Sequence, residues 1–315
     1  MKFKNDEIGG VIPAAILPLH DDLSIDETSY RKHLRNLAGV AGVSAVTVNA
    51  HASEVASCTF DEQRRILDVT LDEIGSRLPI VNGIYAEGSL EAARLAKMAA
   101  QAGAAALLVF PPGPFTMGQS AEMALAHFRC IADATSLPLI AFQYPSATGQ
   151  GYPLETLVRL ADEIPTIRAI KDWCNNVPEH ETHVRTLQRR ARPVTVLSTH
   201  SWWLLSSLVL GCGGLLSGMG SVAADLQAHL FDAVQRGDLR AAQAINERLK
   251  PLADVFYADP FIDMHNRMKH ALVLLGRIPS AAVRPPLVRL GADEIARIRA
   301  ALAAADLFEG VLLRD

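Results

Sequence analysis

Short runs of apolar residues alternate along the chain with longer stretches in which apolar positions recur every three or four residues. The runs span residues 11–17, 45–49, 79–82, 105–110, 139–142, 167–170, 194–197 and 214–216. Most are continuously apolar rather than alternating, the pattern of parallel strands covered on both faces. The stretches between them carry helix signals. Ser24-x-x-Glu27 and Thr59-x-x-Glu62 have the spacing of capping boxes, in which hydroxyl and carboxylate satisfy orphan amides of the first turn. Ser89 precedes a helix over 90–102 that stops at Gly103; Pro153 opens another, and Pro165 keeps it from running on. Eight strand–helix alternations with short connections predict α/β architecture, and eight units favour a closed (β/α)8 TIM barrel over an open doubly wound sheet.

After a helix over 222–236 the strand signal ends. Residues 239–255, 264–275 and 292–304 read as helices, with Pro260, Pro285 and Pro286 at the breaks. The expected organisation is a barrel over 1–238 and a C-terminal helical extension over 239–315 packed on it. The extension is short of independent apolar surface for a separately folding domain. No Pro/Ser-rich linker, low-complexity tract or charge block divides the chain. From Thr195 to Ala224 no Asp, Glu, Lys or Arg occurs, which raises a membrane span over 202–219. Five glycines punctuate the second half of the uncharged stretch and no basic cluster flanks it, so a buried helix followed by a buried strand fits better.

Composition narrows the picture. The chain has 315 residues, 50% of them hydrophobic and 20% charged, with a formal net charge of −4. It is too apolar for a disordered chain, and the charge balance gives no reason to expect nucleic acid or an acidic membrane as partner. Cys58, Cys130, Cys174 and Cys212 lie far apart without a C-x-x-C pair, so a reducing compartment is expected and a zinc site built on cysteines is not. Residues 1–10 carry charge and glycines where a signal peptide needs an apolar core; the expectation is a cytoplasmic protein.

In such barrels chemistry sits beyond the C-terminal ends of the strands. Lys171 stands out: the chain has seven lysines, and this one alone ends an apolar strand, Ile167-Arg168-Ala169-Ile170-Lys171. An amine held in a low-dielectric barrel mouth has its pKa depressed, and a neutral amine can attack a carbonyl to form a Schiff base. The bland alternative is a lysine that snorkels to the rim or pairs with Asp172.

These residues resemble the dihydrodipicolinate synthase/N-acetylneuraminate lyase family of class I aldolases over nearly the full chain. The matching pieces run in order: Gly10-Val11-Ile12-Pro13-Ala14 with Leu17-Pro18, Glu54, Tyr144-Pro145-Ser146-Ala147-Thr148-Gly149, Ile170-Lys171-Asp172, Gly211-x-Gly213-Gly214-x-x-Ser217 and Arg284-Pro285-Pro286-Leu287. The resemblance implies that Lys171 forms a Schiff base with a 2-oxo acid such as pyruvate or a 2-keto-3-deoxy sugar acid. It also implies a lyase, aldolase or dehydratase, that needs no cofactor or metal and assembles as a homotetramer or homodimer. Departures from the family are equally informative. The family's two threonines in the strand-2 loop are replaced in Ala50-His51-Ala52-Ser53-Glu54. Its proton-shuttling tyrosine after strand 5 falls on Phe142, its interface tyrosine near Gly113, and its carboxylate-binding arginine on Ala147. The divergence argues against a true dihydrodipicolinate synthase.

His51, at the first threonine's position, is the expected replacement proton shuttle, because imidazole titrates near neutral pH. Tyr144 is the competing shuttle. Ala52, Ser53 and the amides around them are expected to hold the substrate carboxylate, with Phe142 in the pocket and Glu54 buttressing the loop. Thr199 and His200 are expected at the far end of the substrate, Ser217 at the end of strand 8 among the substrate-binding residues, and Trp173 as a pocket wall or a packing residue. A metal-dependent aldolase is the mechanistic rival, since His180 and His183 stand three apart on a helix; an exposed polar helix face is the favoured reading of that pair. The alternative of a different class is a 2-oxo-acid-binding or regulatory protein that has lost catalysis, suggested by Phe142 and Gly113.

Overall fold

The computed structural model describes residues 1–3 and 7–308. Eight parallel strands alternate with helices: β1 (Gly10–Pro13), β2 (Val46–Val48), β3 (Ile80–Ile84), β4 (Ala106–Val109), β5 (Leu139–Gln143), β6 (Ile167–Asp172), β7 (Thr195–Ser198) and β8 (Gly214–Ser217). They pair in the order β1-β8-β7-β6-β5-β4-β3-β2. Parallel bridges Val11–Val43 and Ala14–Thr47 complete the ring between β1 and β2. This is the (β/α)8 barrel that the eight apolar runs predict. Every residue of β3, β4 and β5 is buried, and each fully buried Leu, Ile or Val contributes about 1.5–3 kcal/mol. Continuous apolarity in these strands follows from having helices outside and a packed barrel interior.

Local details correct two readings. The ladder of strand 1 with β8 covers only Gly10–Pro13 and does not run to residue 17. Pro13 offers no N–H to a ladder, and beyond it the amides of Ala14, Ala15 and Ile16 go to the Ser217 carbonyl, the Thr47 carbonyl and the Ser221 hydroxyl. The Ser24–Glu27 capping box does not form. Helix α1 (Glu27–Ala38) is capped by Asp26, whose carboxylate accepts the Ser29 N–H at 2.9 Å, while Ser24 donates to Asp22. A carboxylate immediately before the first turn displaces a hydroxyl two residues earlier. The Thr59–Glu62 box is present in both halves at the start of α2 (Phe60–Ile74), and Gly103 ends α3 (Ser89–Ala102) with φ +105°.

Helices α4 (Ala121–Ala134), α5 (Leu154–Glu163), α6 (Val177–Leu187), α7 (Leu204–Val209) and α8 (Gly220–Gln235) complete the barrel's outer layer. The uncharged segment is α7 followed by β8, and among the described residues no helix is long and apolar enough to cross a membrane. Beyond the barrel, α9 (Leu239–Phe256) packs on α8, while α10 (Met264–Leu274) and α11 (Ala292–Ala304) pack on α9. The last residues of the expected extension, 309–315, lie outside the described residues. Fully buried Arg267 of α10 ties this layer together by donating to the Phe256, Ala258 and Asp259 carbonyls and to Glu294. Buried guanidinium is tolerated because its donors are used in this way.

Candidate active site

Lys171 stands at the C-terminal end of β6 between Phe142 of β5 and Leu197 of β7. It is 5% exposed, and its Nζ lies 4.0 Å from the centre of the Phe142 ring. Among the described residues it has no carboxylate within ion-pair distance, so the pairing with Asp172 does not occur. Strand alternation sends Asp172 to the opposite face. Burial without a counter-ion lowers the ammonium pKa to about 7. The lysine opens into a cavity of about 40 Å³ at the barrel mouth, lined on the barrel side by small residues, Ala14, Ala50, Ala52 and Gly218.

His51 begins a single 3-10 turn, His51–Ser53, directly after β2. Its ring is packed among Phe110, Phe142 and Tyr85 at centroid distances of 4.8, 5.9 and 6.2 Å. That apolar surround, and next the Lys171 charge, hold the imidazole pKa down to about 3, so the ring is neutral at pH 7. Its Nε2 is 3.0 Å from the Tyr144 hydroxyl. The two rival shuttles are therefore one hydrogen-bonded pair: His51 lines the cavity and Tyr144 stands behind it. Burial raises the Tyr144 phenol pKa, so at neutral pH it is the donor-capable O–H of the pair.

The turn is held from two sides. Buried Ser53 donates its hydroxyl to the Ala15 carbonyl at 3.0 Å, and its N–H goes to Ala50. Glu54, in the left-handed region at φ +52°, accepts from the buried Lys269 ammonium and from the Arg284 N–H at 2.9 Å. A strained backbone persists where its surroundings over-determine it. Glu54 is thus a buttress linking the strand-2 loop to the helical extension, as its position in the loop suggested.

The remaining expected residues divide. Thr199 and Phe142 line the cavity with Lys171, His51 and Ala52. Ser217 is buried beside the Ser201 hydroxyl and Gln227, away from the lining. His200 stacks on Trp203 with centroids 3.9 Å apart and turns toward Asp172 and Cys174 rather than the cavity. Trp173 is a wall, stacked at 5.2 Å on Phe261. The extension supplies residues that no local signal marked: Tyr257, Phe261, Met264 and His265 close the cavity. The His265 ring comes within 6.3 Å of that of His51, and a Cβ on Gly218 would meet its Nε2 at 2.7 Å. Glycine is what lets this imidazole approach the barrel mouth.

His180 and His183 are not an exposed face. They are 0% and 1% exposed, and each Nδ1 contacts the same Asp172 Oδ2, at 2.9 and 2.8 Å. A fully buried carboxylate needs donors, and these imidazoles provide them. Burial alone would raise the Asp172 pKa, but the hydrogen bonds from His180 and His183 outweigh it and hold the carboxyl well below its usual range.

Residues 7–305 match the model of the dihydrodipicolinate synthetase family. A 4-hydroxy-tetrahydrodipicolinate synthase of Gluconacetobacter diazotrophicus is 31% identical over 302 residues, covering 95% of this chain and 97% of its own. An uncharacterised DapA-like lyase of Halobacterium salinarum is 31% identical, with 93% of each chain covered. Among solved structures, YagE of E. coli K12, a prophage protein of the dihydrodipicolinic acid synthase family in complex with pyruvate, superposes with a TM-score of 0.87. It is 26% identical over 95% of this chain and 99% of its own.

Proposed function

The chain belongs to the dihydrodipicolinate synthetase family and is an aldolase-type lyase, and we propose that Lys171 forms a Schiff base with a 2-oxo acid. The class is pyruvate or a 2-keto-3-deoxy sugar acid. One observation carries the reading: a buried lysine without a counter-ion stands near the C-terminal end of β6 and lines the mouth cavity. The neutral amine adds to the keto carbon; loss of water leaves an iminium conjugated with the substrate's C3. Electrons from a C3–H bond, or from the C3–C4 bond when a hydroxyl at C4 is deprotonated, flow into the iminium and give an enamine. That enamine is common to carbon–carbon cleavage and to loss of water.

The proton is handled by the His51–Tyr144 pair: burial holds the imidazole far below the near-neutral pKa expected of it, so it is neutral but a weak base, and the Tyr144 hydroxyl stands 3.0 Å behind it. The substrate carboxylate faces Ala52 and the strand-2 turn, in the place where the family uses threonines. The absence of an arginine at Ala147 and among the cavity residues argues against the carboxylate-bearing aldehyde partner of a true dihydrodipicolinate synthase. The test is borohydride reduction in the presence of pyruvate and of longer 2-oxo acids, read by peptide mass. The expected result is a reduced adduct on Lys171. No adduct with any member of the panel overturns the reading.

A further inference from the structure

The strongest unassigned cluster lies behind the same strand end. Asp172 closes β6, Cys174 follows it, His180 lies in the first turns of α6 and His200 follows β7. One ligand atom from each of the four lies within 4.8 Å of the others. Their exposures are 0, 4, 0 and 2%. Cys174 Sγ is 3.8 Å and Asp172 Oδ1 3.9 Å from His200 Nε2, and Asp172 Oδ2 is 2.9 Å from His180 Nδ1. Tetrahedral zinc with bonds of about 2.0–2.3 Å sets its ligands about 3.3–3.8 Å apart. The four side chains stand near that spacing.

Charge points the same way. Asp172 is sealed from water, and among the described residues its ion-pair partners are histidines only, with no lysine or arginine. Binding a divalent ion would release the Cys174 thiol proton, now directed at the Asn176 carbonyl, to solvent and move the His180 Nδ1 proton to its unpartnered Nε2. The resulting carboxylate, thiolate and two neutral imidazoles make a neutral assembly with the ion, suited to a dry interior. The surroundings also orient the set: the His183 Nδ1–H donates to Asp172 Oδ2 at 2.8 Å, the Cys174 N–H to Asp172 Oδ1 at 2.9 Å, and Trp203 stacks on His200. Such outer partners are what hold metal ligands in place.

We propose that Asp172, Cys174, His180 and His200 form a closed structural site for a borderline-soft divalent ion, zinc above all. The mixed nitrogen, sulfur and oxygen donors exclude magnesium and calcium, which take oxygen alone. Four protein ligands leave no open position for a substrate. The ion would pin the ends of β6 and β7 and the start of α6, one residue from Lys171. This inference is independent of the Schiff-base reading.

The experiment is titration of the chelator-treated full-length protein with Co2+, followed by displacement with Zn2+. The expected outcome is one equivalent bound, with visible bands of tetrahedral intensity and a near-ultraviolet thiolate-to-cobalt transition, all bleached by zinc. Cys174→Ser should remove the near-ultraviolet transition and Cys58→Ser should keep it. Zinc should raise the wild-type melting temperature by several degrees. A wild-type protein that shows no thiolate transition at one equivalent overturns the proposal, whether or not the serine variant folds. A transition that survives Cys174→Ser overturns it as well.

Discussion

Lys171 and Asp172 are neighbours in one strand, both buried, and the barrel treats them in opposite ways. Lys171 faces the mouth with aromatic carbon over its amine and no carboxylate in reach. Asp172 faces the helices and collects two imidazoles and a backbone amide. The same loss of solvent therefore acts with different results. The amine is pushed toward its neutral form, while the carboxylate is fixed in its charged form. Partner supply, rather than burial itself, decides whether an ionisable group becomes reactive or structural.

The largest effect that can break this contrast is on Lys171. Lys171→Met should abolish borohydride trapping and lower turnover by at least about 10⁴-fold, as expected for loss of a nucleophile. It should also leave stability unchanged or improved, because it removes a polar group held in low dielectric without a partner. A variant that loses activity through unfolding in urea titration would show that the amine is structural. Asp172→Ala should do the reverse. Leaving His180, His183 and the Cys174 amide without their acceptor should cost about 3–5 kcal/mol by denaturant unfolding, with adduct formation on Lys171 still detectable in the folded fraction. A change below about 1 kcal/mol would mean that the cluster contributes little.

Much of this contrast is legible in the sequence. A lone lysine ending the strand Ile167-Arg168-Ala169-Ile170 marks the strand end and the candidate nucleophile together, and His51 is found because it follows the run over 45–49. Tyr144 is also visible, but not its union with His51, which joins loops 93 residues apart. The misreading of His180 and His183 has a physical cause. Polar composition suggests a solvated helix, yet His180, His183, Val184 and Leu187 are spaced i, i+3, i+4, i+7, the stripe that faces a core. Periodicity outranks residue type there. His265 and Phe261 had no such signal, because their approach to the mouth depends on how α10 packs over the barrel. The Ser24 box failed because Asp26 competes for the same helix start.

A smaller effect tests the relay on the lysine face. His51→Ala should slow proton exchange at the substrate's C3 by about 10²-fold or more while the adduct on Lys171 still forms. Tyr144→Phe should cost less, about tenfold, since it stands one hydrogen bond further from the cavity. Measurement by NMR in heavy water separates the two steps. Exchange at the wild-type rate in His51→Ala would remove that residue from the mechanism, and equal losses in both variants would make the pair a single unit.

The smallest expected effect extends the Lys171 pattern to a base outside the cavity lining. His33 is 1% exposed, with Nε2 2.7 Å from the Ser221 hydroxyl and no acid partner among the described residues. Burial, and then the Arg277 charge, lower its pKa from 6.5 to about 3. Its pKa is thus depressed on folding, so below pH 6.5 the unfolded chain binds a proton that the folded chain refuses. Stability from this group is complete above pH 6.5 and falls by up to about 1.4 kcal/mol per unit as the pH drops toward 3. Replacing His33 with Gln removes the titration. Between pH 7 and pH 5.5 the variant should lose about 1 kcal/mol less stability than the wild type in urea unfolding. Parallel pH profiles would mean that His33 takes up its proton as readily in the folded chain as in the unfolded one, and that a buried base here can hold its charge without the carboxylate that the opposite face of β6 provides.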